Sequence, residues 1–137
     1  MKKLVYEKMG IKPGMRTHFV NATEAAIEAI DLPELDIRKS LKGKFEYIHL
    51  FVTRQSQMHR GFPVMKKHLQ EDGVLWVSWP KAGQQDTDLT LPAVIKIGYD
   101  FGLVESKCIS IDSIWSALKF TFPRQGKVYN NSYGKLK

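Results

Sequence analysis

The sequence has one cysteine, Cys108, which excludes a disulfide within the chain and a zinc site built from several thiolates. Cys108 lies in an alternating segment, Val104, Ser106, Cys108, Ser110, and is expected to be packed. No apolar run approaches the roughly 18 residues of a membrane-spanning helix, and no signal-peptide stretch follows Met1-Lys2-Lys3. The expectation is therefore a cytoplasmic protein with no membrane partner. G-x-x-x-x-G-K-[ST], G-x-S-x-G and H-E-x-x-H are absent, so phosphate-loop, hydrolase-elbow and zincin chemistry lack their signatures. The four histidines, His18, His49, His59 and His68, include no pair at the i, i+4 spacing that holds a metal on one helix face. Packed histidines and no metal are expected.

Acidic residues are missing from the last stretch, 113–137, which carries Lys119, Arg124, Lys127, Lys135 and Lys137. Residues 1–16 are also basic, with Lys2, Lys3, Lys8, Lys12 and Arg16 against Glu7, whereas the middle of a chain of net charge +7 is slightly acidic. Basic ends on such a scaffold suggest nucleic-acid contact through the termini rather than a continuous basic groove.

At 43% hydrophobic the chain has apolar side chains enough for a core, which excludes disorder of the whole chain. Its centre is Asp72-Gly73-Val74-Leu75-Trp76-Val77-Ser78-Trp79-Pro80-Lys81: a turn signal, an apolar run over 74–79 that reads as a buried strand, and a proline that ends its pairing. Before it, a short helix over 4–9 ends at Gly10. Residues 15–20 make a first strand, and Asn21-Ala22-Thr23-Glu24 has capping-box spacing with Asn21 as the cap. The helix that follows closes at Pro33, 36–41 is a short edge strand, and 45–53 is a second core strand. Met58, Phe62, Met65 and Leu69 form one helical stripe, and Gly61 and Pro63 predict a break inside it. Beyond the centre, a polar loop over 81–88 leads to a helix carrying Val94, Ile95, Ile97 and Phe101. Strands over 103–111 and 115–122 then make an antiparallel pair.

Strands alternating with helices predict an α/β domain over 1–123, a Rossmann-like three-layer sandwich with a mainly parallel sheet and a final antiparallel strand. Residues 124–137 read as a basic polar tail, dispensable for folding.

Lys12-Pro13-Gly14-Met15-Arg16, Phe45-Glu46-Tyr47-Ile48 and Leu69-Gln70-Glu71-Asp72-Gly73-Val74-Leu75 resemble segments of the S-adenosylmethionine-dependent methyltransferase superfamily. Gly10-Ile11-Lys12-Pro13-Gly14-Met15, His49-Leu50-Phe51-Val52-Thr53 and Leu75-Trp76-Val77-Ser78-Trp79-Pro80-Lys81 are similar to an uncharacterised bacterial family, domain of unknown function 3052. The resemblance covers most of residues 8–122 and implies a methyltransferase-like Rossmann fold without an established activity. The chain departs from the superfamily at the turn after the first strand. Phe19 stands for its acid, and Asn21, Thr23 and Ala25 for its three glycines.

Parallel strands point their carboxyl ends to one rim, where Asn21, Thr23, Thr53, Arg54, Ser78, Trp79, Lys81, Asp112 and Trp115 are candidate ligand-binding residues. Arg54, Trp79, Lys81 and Trp115 are expected in one concavity suited to a planar or anionic ligand. Because a Cβ at each glycine position narrows the nucleoside site, the first expectation is a small-molecule or protein partner, no cofactor and no methyl transfer. The alternative is an S-adenosylmethionine-dependent methyltransferase with an atypical cofactor loop. A third is nucleic-acid binding through the basic termini. No catalytic residue is assigned.

Overall fold

The strand and helix patterns fold in chain order in the computed structural model, which describes residues 4–136. The elements are α1 (Val5–Lys8), β1 (Arg16–Val20), α2 (Glu24–Ile30), β2 (Asp36–Ile37), β3 (Phe45–Phe51), α3 (Gln55–Lys67), β4 (Leu69–Pro80), α4 (Leu91–Asp100), β5 (Val104–Ser110) and β6 (Trp115–Thr121). The sheet order is β2-β1-β3-β4-β6-β5. The first four strands in that order are parallel, and β6 is antiparallel to both β4 and β5.

Alternation along β3 and β4 divides the core into two layers. Ile48, Leu50, Val52, Leu75, Val77 and Trp79 pack under α3 and α4, while Tyr47, Phe51, Val74 and Trp76 pack with Ala26 and Ile30 of α2 and with Met9 and Ile11. This is the expected mixed α/β sandwich, with no helix among the described residues long and apolar enough to cross a membrane.

Several local expectations are corrected. Asn21 is not the helix cap: Thr23 is, its side chain accepting from Ala26 N at 3.1 Å, and Asn21 sits in the left-handed region at φ 59. Asp72-Gly73 is not a turn, because β4 runs from Leu69 to Pro80. The register passes from Phe45↔Leu69 to Tyr47↔Val74, so the extra residues on β4 are absorbed as a bulge. Gly73 is needed there, since a Cβ would lie 3.0 Å from the carbonyl oxygens of Gln70 and Phe45.

The predicted break in α3 is absent. Met58, Phe62 and Met65 hold the helix on the sheet, and the carbonyl that Pro63 leaves without a donor belongs to the exposed His59. Packing of a buried face outweighs one lost bond. Cys108 is exposed rather than packed, because β5 is the sheet's outer strand.

The tail is also docked. Tyr129 packs against the α3–α4 layer, and its hydroxyl accepts from Arg124 N at 2.8 Å. Asn131 Nδ2 donates to Glu105 Oε1 at 2.7 Å, the oxygen that also accepts from the Tyr99 hydroxyl at 3.1 Å. Burial and that carboxylate push the Tyr99 phenol up to about 12, so it stays protonated and donates.

Candidate functional site

Strand order reverses between β1 and β3. From β1 the chain crosses one face through α2 to reach β2, and from β3 it crosses the other face through α3 to reach β4. Connections that part in this way open a crevice at the carboxyl ends of the two strands. Here the crevice is a groove of about 310 Å³ between the end of β1 and α3, walled by Val20, Leu50, Val52 and Val64 and edged by Asn21, Gln57 and Arg60.

Its two turns are built differently. After β1, the left-handed Asn21 redirects the backbone, a conformation that Asn tolerates better than most residues. After β3, Gln57 Oε1 accepts from Thr53 N at 2.7 Å, Thr53 Oγ1 at 2.9 Å and Arg54 N at 3.1 Å. That convergence of donors fixes the oxygen of the amide and leaves its NH₂ as the end without a partner among the described residues.

The nine rim residues separate. Asn21 lines the groove. Thr23 caps α2, and Thr53 is held by Gln57 and accepts at its carbonyl from Thr87 Oγ1 at 2.6 Å. Arg54 donates to Asp86 O at 2.7 Å and pairs with Asp88 at 3.4 Å. Lys81 Nζ is tied to Ser110 Oγ and Asp112 O, while Asp112 Oδ1 accepts from Ile114 N and Trp115 N. The expected single concavity is thus corrected. Trp79 is buried in the α3–α4 layer and Trp115 in the α2 layer, edge-on to Phe51 at 5.1 Å, because their positions on paired strands face opposite ways. Both cations are already partnered.

Ser78 lies inside. Its hydroxyl is 2.7 Å from His49 Nε2, and His49 Nδ1 is 2.6 Å from the Tyr47 hydroxyl, with all three side chains fully buried. Burial lowers His49 to about 3, so the ring is neutral, and one N–H and one lone pair satisfy the two hydroxyls in either order. His18, on the neighbouring strand, faces the other layer, where its Nδ1 is 2.9 Å from Arg38 O and its ring packs on Phe45. The two histidines therefore share no site.

Gln57 and Arg60 went unrecognised in the sequence. They belong to a second stripe of α3, with Gly61 and Val64, displaced from the buried stripe that the pattern revealed. Polar residues at helical spacing beside an apolar stripe were the available signal.

Fold and crevice together define a methyltransferase-like Rossmann domain. No protein-family model matches the chain, so its likeness to the uncharacterised bacterial family rests on the three segments alone, and no curated protein matches it. Solved structures do. The ribosomal protein L11 methylase from Lactobacillus delbrueckii subsp. bulgaricus has a TM-score of 0.60 at 13% identity, covering 88% of this chain and 76% of that one. The precorrin-6y C5,15-methyltransferase from Geobacter metallireducens GS-15 has a TM-score of 0.60 at 9% identity, covering 88% and 86%. The magnesium protoporphyrin IX methyltransferase from Synechocystis PCC 6803, solved with bound S-adenosylhomocysteine, has a TM-score of 0.53 at 12% identity, covering 86% and 78%. These identities establish the fold alone. The last enzyme was also solved with S-adenosylmethionine. The expectation of no cofactor is overturned by this last neighbour, in which a similar fold holds that cofactor or its product.

Proposed function

We propose that this chain binds S-adenosylmethionine in the crevice between β1 and β3, as a methyltransferase with an atypical cofactor loop. The observation that carries this reading is Asn21: at φ 59 the turn follows the left-handed path for which glycine is the default residue, although the glycines themselves are missing. The groove fits a nucleoside ligand in kind. Its walls of Val20, Leu50 and Val52 favour a ring, the Gln57 NH₂ is available to an acceptor, and Arg60 favours a carboxylate. When bound, S-adenosylmethionine supplies a methyl group activated on a sulfonium. The chain's own part is to orient it and exclude water.

One observation favours binding without transfer: among the described residues, those that line the groove include no carboxylate or imidazole that could serve as a general base. Calorimetric titration with S-adenosylhomocysteine tests the shared step. Wild type and Asn21→Gly should both bind, whereas Asn21→Val should lose at least tenfold, because a β-branched residue resists positive φ. No heat with wild type at millimolar ligand would end both readings. Product formation from S-adenosylmethionine and a nucleophilic acceptor then separates transfer from binding.

A further inference from the structure

The loop between β2 and β3, Arg38-Lys39-Ser40-Leu41-Lys42-Gly43-Lys44, holds four basic residues and no acid. Its slightly acidic surroundings conceal it when charge is summed over long stretches, and the fold places more positive charge beside it. Arg16 donates to Lys44 O at 2.6 Å and to Lys42 O at 2.8 Å while its guanidinium lies 4.2 Å above the Phe45 ring. Lys44 Nζ donates to Lys67 O at 2.8 Å, and His68 Nδ1 is 2.7 Å from Gly43 O. The loop is therefore fastened to the end of α3, next to the exposed Lys67.

Little of this charge is neutralised. Asp36 pairs with Arg38 at 2.8 Å, Glu46 Oε1 accepts from the Arg16 amide, and Glu71 lines a groove with Lys44. Lys39, Lys42 and Lys67 are exposed and, among the described residues, pair with no acidic side chain. Helix-end stabilisation accounts for Lys67 in part, and the cap for Lys44. Neither explains Lys39 and Lys42.

We propose that the 38–44 loop and the end of α3 form a docking surface for the phosphate backbone of duplex nucleic acid. Unpaired cations on a loop whose backbone is already fastened attract a polyanion and leave only their side chains to be ordered at binding. The apolar member of the loop, Leu41, turns inward onto the core, and the exposed Ile37 that precedes the loop is a single side chain rather than the apolar helix face that inserts into a lipid surface. The loop itself contains no aromatic residue, Phe45 after it is fully buried, and the partly buried Phe122 beside Lys44 is a single ring, short of the row of rings on which successive unpaired bases stack. This inference is independent of the cofactor reading, because Lys39, Lys42 and Lys67 do not line the groove.

Fluorescence anisotropy of a labelled DNA duplex of about 20 base pairs, titrated at several sodium chloride concentrations, tests it. Wild type should bind with log K falling against log salt at a slope of about −3, as three phosphate contacts require. Lys39→Glu/Lys42→Glu should weaken binding at least tenfold and flatten the slope by about 2, with Tm and S-adenosylhomocysteine binding unchanged. Lys39→Ala/Lys42→Ala provides a milder variant should reversal perturb folding. Lys127→Glu/Lys135→Glu in the tail should stay within about twofold of wild type. Equal binding by the loop variants, or a loss confined to the tail variant, would overturn the assignment. So would tighter binding to single strands of the same length or to phosphatidylserine vesicles.

Discussion

At pH 7 the His49 imidazole is neutral in the folded chain, because burial lowers its pKa to about 3 while the unfolded chain titrates near 6.5. The unfolded state therefore binds the extra proton first. Stability from this residue is complete above about pH 6.5 and declines as pH falls toward 3, by up to about 1.4 kcal/mol per pH unit. Thermal melts between pH 7 and 4 should show that decline in wild type and a shallower one in His49→Gln. Parallel profiles would assign the loss to other groups. Ser78→Ala leaves one ring nitrogen buried without a partner and should cost about 1 to 3 kcal/mol in urea unfolding. His49 and Tyr47 were readable as one face of one strand, two residues apart. Ser78 was not, because its place beside His49 depends on the register of β4, which the bulge near Phe45 resets.

Elements were legible where one local signal agreed with packing and misread where tertiary contacts decided. Thr90, which with Asp88 is one of two capping residues that precede α4 in the sequence, is its cap, and Gly102 at φ 85 follows its end. The uninterrupted α3 was not legible, since Pro63 weighs against a helix until Phe62 and Met65 are seen buried on either side of it. The approach of α4 to the sheet was equally hidden. Gly98 lies over Phe120, and a Cβ there would fall 2.0 Å from Phe120 Cε1, so the aromatic ring fills the space that a side chain would take. Both groups belong to regular elements without room to relax. Gly98→Ala should therefore destabilise by about 3 kcal/mol or more in urea unfolding, despite the usual helix preference for alanine. An unchanged midpoint would mean that α4 stands further from β6.

Across the whole molecule, layers and strand order follow from alternation and crossover rules, which is why the α/β architecture was readable. The rim was not, because side chains on paired strands alternate between layers and polar ends find backbone partners that no pattern displays. The tail tests this limit. Read as sequence, residues 124–137 have too few apolar groups to offset an ordering cost of about 1 to 2 kcal/mol per residue. In the fold they cover Tyr99 of the core through Gly134, bury part of Tyr129 and give Glu105 a second donor. Most of the gain is spent on ordering, which leaves a net contribution of about 1 to 2 kcal/mol. For a chain of this size that corresponds to roughly 4 to 8 °C in Tm. A chain ending at Pro123 should melt lower by that amount, and Tyr129→Ala in the full chain should reproduce part of the drop. Identical melting of all three would show that the tail contributes nothing to the folded domain.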